Sequence, residues 1–159
     1  MEWTVHQGEL DREDVRGLLA LHFAAMRDHS PPDACHVLHV EELHQPAITF
    51  LSVREDGCLL GVGALKALDP SHGEVKSMRT APEAAGQGVG SFLLDAIIAE
   101  ARRRGYLRIS LETGSGAEFA AALHLYAKAG FKPCAAFGGY GESAFTRFLR
   151  LELRPALHR

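Results

Sequence analysis

The sequence is poor in cysteine, in basic runs and in long apolar stretches, and each shortage removes a class of function. Cys35, Cys58 and Cys134 are the only cysteines in 159 residues, widely spaced and outside any C-x-x-C pattern. That argues against a disulfide framework or a thiolate zinc site and predicts reduced thiols in a cytoplasmic protein. The formal net charge of -3 offers no basic surface for nucleic acid, so no nucleic-acid partner is expected. The one basic run, Arg102, Arg103 and Arg104, falls where a helical pattern ends and complements a helix dipole. No window approaches the roughly 18 apolar residues of a membrane span, and the N-terminus "MEWTVHQGEL" has no basic segment leading into an apolar run. Repeats, low-complexity tracts and long linkers are also missing, so residues 1–159 are expected to form a single domain without a membrane partner. The tail "RPALHR" is expected to be a frayed end.

What is present is apolar patterning: 47% of the chain is hydrophobic, enough for a core at this length. "EWTVHQG" alternates as a first strand, and Val15, Leu18, Leu19, His22, Phe23 and Met26 mark one face of a helix. A short second helix is expected around Val40 to Leu43, between proline-bounded loops. Asp56-Gly57 joins two β-rich runs as a hairpin, and "EVKSMRT" forms a fourth strand. The repeat Leu93, Leu94, Ile97, Ile98, Ala101 gives a helix that stops at Gly105. "LRISLET" is a fifth strand, parallel to the fourth if the helix makes a normal crossover. "AEFAAALHLYAKAG" is a further helix, and one or two strands close the chain. The expected fold is therefore α/β, with one mixed, twisted sheet of six to seven strands. It should be antiparallel early and parallel at strands four and five, flanked by about four helices.

Three glycines, Gly86, Gly88 and Gly90, stand directly before the most regular helix. Glycine at a strand-to-helix junction lets backbone N–H groups converge at the positive end of the helix dipole, which suits a phosphate. The spacing is neither G-x-G-x-x-G nor G-x-x-x-x-G-K-[ST], which disfavours dinucleotide and P-loop sites.

"TAPEAAGQGVGSFLLDAIIAEARRRGY", "ISLET" and "LYAKAGF" together resemble the GNAT N-acetyltransferases over roughly residues 73–132. Gly88 and Gly90 occupy the glycine positions of that family's acetyl-CoA signature, whereas Ala85 stands where the family has Arg or Gln, and Phe119 where many members carry Asn. The resemblance implies acetyl-CoA as cosubstrate, held by Met78, Thr80, Gly86, Gln87, Gly88, Val89, Gly90, Ser91 and Tyr126. It further implies direct transfer in a ternary complex to a small-molecule amine, and often a homodimer. Protein acetylation and a non-catalytic acyl-CoA sensor are the rival readings.

Acetyl transfer from a thioester needs a neutral amine, a stabilised oxyanion and a protonated leaving thiolate. By resemblance, the Met78 N–H stabilises the oxyanion, Tyr126 protonates the thiolate and Glu74 deprotonates the amine. Glu112 and His72 are rival bases. His36, His39, Arg79, Glu112 and Tyr140 are candidates for acceptor contact, with His29 a further polar handle. His36, His39 and His44 stand at i, i+3 and i+8, which is the sharper metal alternative, but no carboxylate or thiolate pattern completes it, so no metal is expected.

Overall fold

The computed structural model describes residues 2–153; the tail expected to fray lies outside the described residues. The chain runs β1 (Trp3–Gln7), α1 (Glu13–His29), β2 (Ile48–Glu55), β3 (Cys58–Asp69), β4 (His72–Thr80), α2 (Val89–Arg103), β5 (Arg108–Thr113), α3 (Ala120–Ala129), β6 (Lys132–Pro133) and β7 (Arg147–Glu152). One seven-stranded sheet takes the order β1-β2-β3-β4-β5-β7-β6. Only β4 and β5 pair in parallel; the other neighbours are antiparallel. The α2 crossover between β4 and β5 produces that parallel pair, as a strand-helix-strand unit must.

The local reasons are visible in the residues. Asp56 and Gly57 both have positive φ, 51° and 81°, the backbone of a two-residue hairpin turn whose twist matches its strands. β2 is buried at every position from Thr49 to Arg54, because helices cover both faces of the central sheet. On one face, Leu93, Leu94 and Ile97 of α2 and Tyr126 of α3 pack on Val53, Leu65, Val75 and Ile109. On the other, Val15, Leu18 and Leu19 of α1 pack on Phe50, Val62 and Ala64. Two cores separated by a sheet make three layers.

The expected short second helix is realised as two 3-10 turns, Pro32–Ala34 and Glu42–His44, leaving three α-helices. A single turn bounded by prolines cannot offset the cost of helix nucleation. Instead the Glu42 carboxylate accepts the backbone N–H of His39 at 2.8 Å and closes the turn locally. Arg54, 2% exposed, ties the β1-to-α1 connection to the sheet. Its guanidinium donates to Glu9 at 3.0 Å, to both oxygens of Asp14 at 2.7 and 3.0 Å, and to the Gly57 carbonyl at 2.9 Å.

Candidate active site

β4 and β5 are paired only at His72↔Arg108, Gly73↔Ile109 and Glu74↔Ser110. Beyond Glu74 the two strands part. Part of the reason is an irregularity in β4 itself: register against β3 shifts between Val62↔Arg79 and Ala64↔Lys76, and Ser77 sits at φ 58°. An extra residue on one strand bends it away from a neighbour. The opening is a cavity of about 190 Å³. Met78, Ala122 and Tyr126 reach it from the α2–α3 face, while His22, Met26 and Arg79 reach it from the α1 face. The cavity therefore crosses the sheet at the split.

The glycine loop follows β4, whose Met78 and Arg79 line this opening. Gly86 and Gly88 have φ of 79° and 89°, and a Cβ built on either would meet nothing within 4 Å. Their conformation disfavours other residues, and the space outside them is free for a ligand. Gly90 serves a different purpose: a Cβ there would stand 3.3 Å from Leu125 of α3 and 3.9 Å from the Thr80 hydroxyl. It allows α2, α3 and the end of β4 to approach closely. Gly88 is the N-cap of α2 and makes no side-chain cap, so N–H groups of the first turn remain for an anion. Ala85 is exposed at the foot of this loop.

Tyr126 is 9% exposed, lines the cavity and packs against Phe131. Burial pushes its phenol up to about 12, with the nearby Arg79 charge opposing, so it remains a hydroxyl donor at any ordinary working pH. Arg79 donates its Nε–H to Nδ1 of His22 at 3.0 Å. His22 is held neutral, its pKa lowered to about 3 by burial and then by the Arg79 charge, so the proton of the ring resides on Nε2.

Lys76 donates to Glu74 Oε2 at 3.1 Å and to the Tyr140 hydroxyl at 2.7 Å, and that hydroxyl donates to the same Glu74 oxygen at 2.8 Å. His36 stacks on the Tyr140 ring at 4.6 Å and places Nδ1 3.0 Å from Glu112 Oε2. Both His36 and Glu112 line the cavity.

The structure thus brings together Met78, Arg79, Tyr126, His36 and Glu112, with Thr80 and the glycine loop adjoining. Glu74 is 1% exposed and closed off by Lys76 and Tyr140; it does not itself line the cavity, although its partner Lys76 does. His72 is also buried, hydrogen-bonded to Ser110 at 2.7 Å. His39 stacks on Phe23 at 4.3 Å, and His44 lies 3.6 Å from Asp11; with His36 they turn to three different partners. Among the described residues no group of three or more His, Cys, Asp or Glu is placed to hold a metal. His29 is exposed in the last turn of α1.

Two features were not foreseen. His22 reads in sequence as one more position on the buried face of α1, and nothing local signals its partner 57 residues away. Phe119, 5% exposed, meets Phe145 edge-on at 5.4 Å and walls one side of the cavity.

The profile of the Acetyltransferase (GNAT) family matches residues 13–131. The uncharacterized N-acetyltransferase YedL of Escherichia coli (strain K12) is 44% identical over 151 residues, 95% of each chain. The uncharacterized N-acetyltransferase YsnE of Bacillus subtilis (strain 168) is 45% identical over 145 residues, 91% of this chain and 96% of its own. A GNAT family acetyltransferase from Elizabethkingia anophelis, solved with acetyl-CoA bound, shares the fold with a TM-score of 0.71 at 20% identity, over 95% of this chain and 98% of that one. With these relatives, a matching family profile and the parted parallel strands beside a glycine-opened helix, the chain belongs to the acetyltransferase (GNAT) family.

Proposed function

We propose that the protein transfers an acetyl group from acetyl-CoA to the amine of a small molecule by direct transfer in a ternary complex. The observation that carries this reading is the cavity where β4 and β5 part, lined from both faces of the sheet. Two substrates can then meet from opposite sides without an acyl-enzyme. A volume of about 190 Å³ is below the ~300–1,000 Å³ of drug-sized pockets, which supports a small acceptor over a protein segment.

The residues fit acetyl-CoA as cosubstrate, which supplies the thioester. Backbone amides from Gly86, Gln87, Gly88, Val89, Gly90 and Ser91 would hold its pyrophosphate, where Gly86 and Gly88 leave the approach free. Met78 and Thr80 would supply main-chain groups along the end of β4, the Met78 N–H being the donor that would stabilise an oxyanion. Tyr126 donates its proton toward the leaving sulfur.

Removal of the amine proton is assigned to His36 with Glu112. A carboxylate accepting from Nδ1–H leaves the Nε2 lone pair free, the arrangement that makes an imidazole a proton acceptor. Glu74, the base that family resemblance implies, supports the site indirectly by fixing Lys76 and Tyr140, against whose ring His36 stacks.

Titration calorimetry with acetyl-CoA and thiol release with a panel of amines test the reading together. Micromolar binding with amine-dependent thiol release is expected. Binding without release above the no-amine background would make the protein a sensor, and no binding at millimolar acetyl-CoA would remove the cradle assignment.

A further inference from the structure

Arg79 holds a charge that the protein leaves unanswered. Two cations line the cavity, Lys76 and Arg79, and Lys76 is neutralised by Glu74. Arg79 makes no salt bridge among the described residues; its partner His22 accepts one hydrogen bond and brings no negative charge. A guanidinium has five N–H donors, and among the described residues only the Nε–H is engaged. The four on the terminal fork are the ones that match a carboxylate in bidentate fashion. A half-buried, unpaired cation is costly to retain, so its place in the cavity wall points to an anionic group on whatever fills the cavity.

The phosphates of acetyl-CoA are not that group. Their cradle lies at the N-terminus of α2 on one face of the sheet, whereas Arg79 is drawn to α1 on the other by its bond to His22. The anion belongs to the molecule entering from the α1 face. Across the same cavity stands the Glu112–His36 pair, suited to a protonated amine. One cationic wall and one acidic wall complement a zwitterion.

Resting on the acetyl-transfer reading above, we propose that the acceptor carries a carboxylate beside its amine, as an amino acid does, and that Arg79 binds this carboxylate through its terminal nitrogens. Arg79 is then the residue that sets acceptor class, while Tyr126 and Met78 serve every acceptor alike.

The test uses matched trios: an amino acid, its carboxamide and its decarboxylated amine, each assayed by thiol release with saturating acetyl-CoA. In the wild-type protein, kcat/KM for the carboxylate members is expected to exceed that for the neutral members by about 100-fold, the scale of losing a bidentate charged contact. Arg79→Met should reduce only the carboxylate members, bringing the trio within about threefold, with acetyl-CoA affinity by calorimetry unchanged. Arg79→Lys keeps the charge without the fork and should fall between the two; if Arg79→Met fails to fold, Arg79→Lys and the wild-type trio decide the matter.

Equal turnover of charged and neutral members by the wild-type protein would overturn the assignment while leaving acetyl transfer intact. So would an Arg79→Met variant that slows all three members equally, which would assign the charge to the leaving thiolate. Acetyl-CoA binding with no thiol release from any amine would instead overturn acetyl transfer itself, and the carboxylate assignment with it.

Discussion

Tyr126 and His22 are both buried titratable groups beside Arg79, and burial moves their pKa values in opposite directions because it disfavours whichever form is charged. For Tyr126 the result is a phenol that stays protonated, so Tyr126→Phe should lower kcat by about 100-fold with acetyl-CoA affinity within about threefold, read by thiol release and calorimetry. Unchanged turnover would remove it from the chemistry. For His22 the consequence is in stability. Its folded pKa, about 3, lies below the ordinary 6.5, so the unfolded chain takes up the proton first as pH falls. The contribution of the neutral ring is complete above about pH 6.5 and is lost progressively toward pH 3, at up to about 1.4 kcal/mol per unit. Urea unfolding at pH 7 and pH 5 should therefore show the wild-type protein losing about 2 kcal/mol more than His22→Gln, whose amide can still accept from Arg79. Equal losses would mean that the ring is not held neutral. Glu9 and Asp14, whose carboxyls also sit below the usual range, act alike in both proteins.

Among the elements, the loop from Ala85 into the first turn of α2 at Ser91 carries every predicted phosphate contact. Arg at position 85 would place a cation at the exposed foot of the loop, and Ala85→Arg should tighten acetyl-CoA binding by about tenfold, as a charged hydrogen bond does. Gly88→Ala should weaken binding by a similar factor, because its φ of 89° strains any side chain; normal affinity in a folded variant would remove the loop from phosphate binding. This element was legible in sequence because its signals are local: glycine spacing, then a helical repeat from Leu93 to Ala101. The hairpin at Asp56-Gly57 was legible for the same reason. The second helix was misread because a few apolar residues between prolines match a helix and a 3-10 turn equally well. The bulge at Ser77 and the pairs Arg79–His22 and His36–Glu112 were beyond local reading, since each depends on register or on contacts between residues far apart in the chain. For Lys76 and Glu74 a signal did exist: they are two apart on one strand and so share a face.

At the scale of the whole molecule, ligand binding and folding are linked, because a molecule bound only by the native state raises its stability. Acetyl-CoA at 100 times its Kd should add about 2.7 kcal/mol, a rise in Tm of about 5–10 °C for a chain of this size. A thermal melt with and without acetyl-CoA checks it, and coenzyme A should give a comparable shift, since the phosphate cradle does not depend on the acetyl group. No shift with either would mean that the glycine loop holds neither. The parallel junction of β4 and β5 carries a mechanical consequence. Within the sheet, among the described residues, only three residue pairs join a half-sheet of β1 to β4 to a half-sheet of β5 to β7, with α2 and α3 packed over the junction on one face, so the sheet is built as two plates with a seam, and whatever occupies the seam acts as a splint. Amide hydrogen exchange along the free ends of β4 and β5 should slow when both substrates are in place, more than exchange in the β2–β3 hairpin, where no seam exists to be closed.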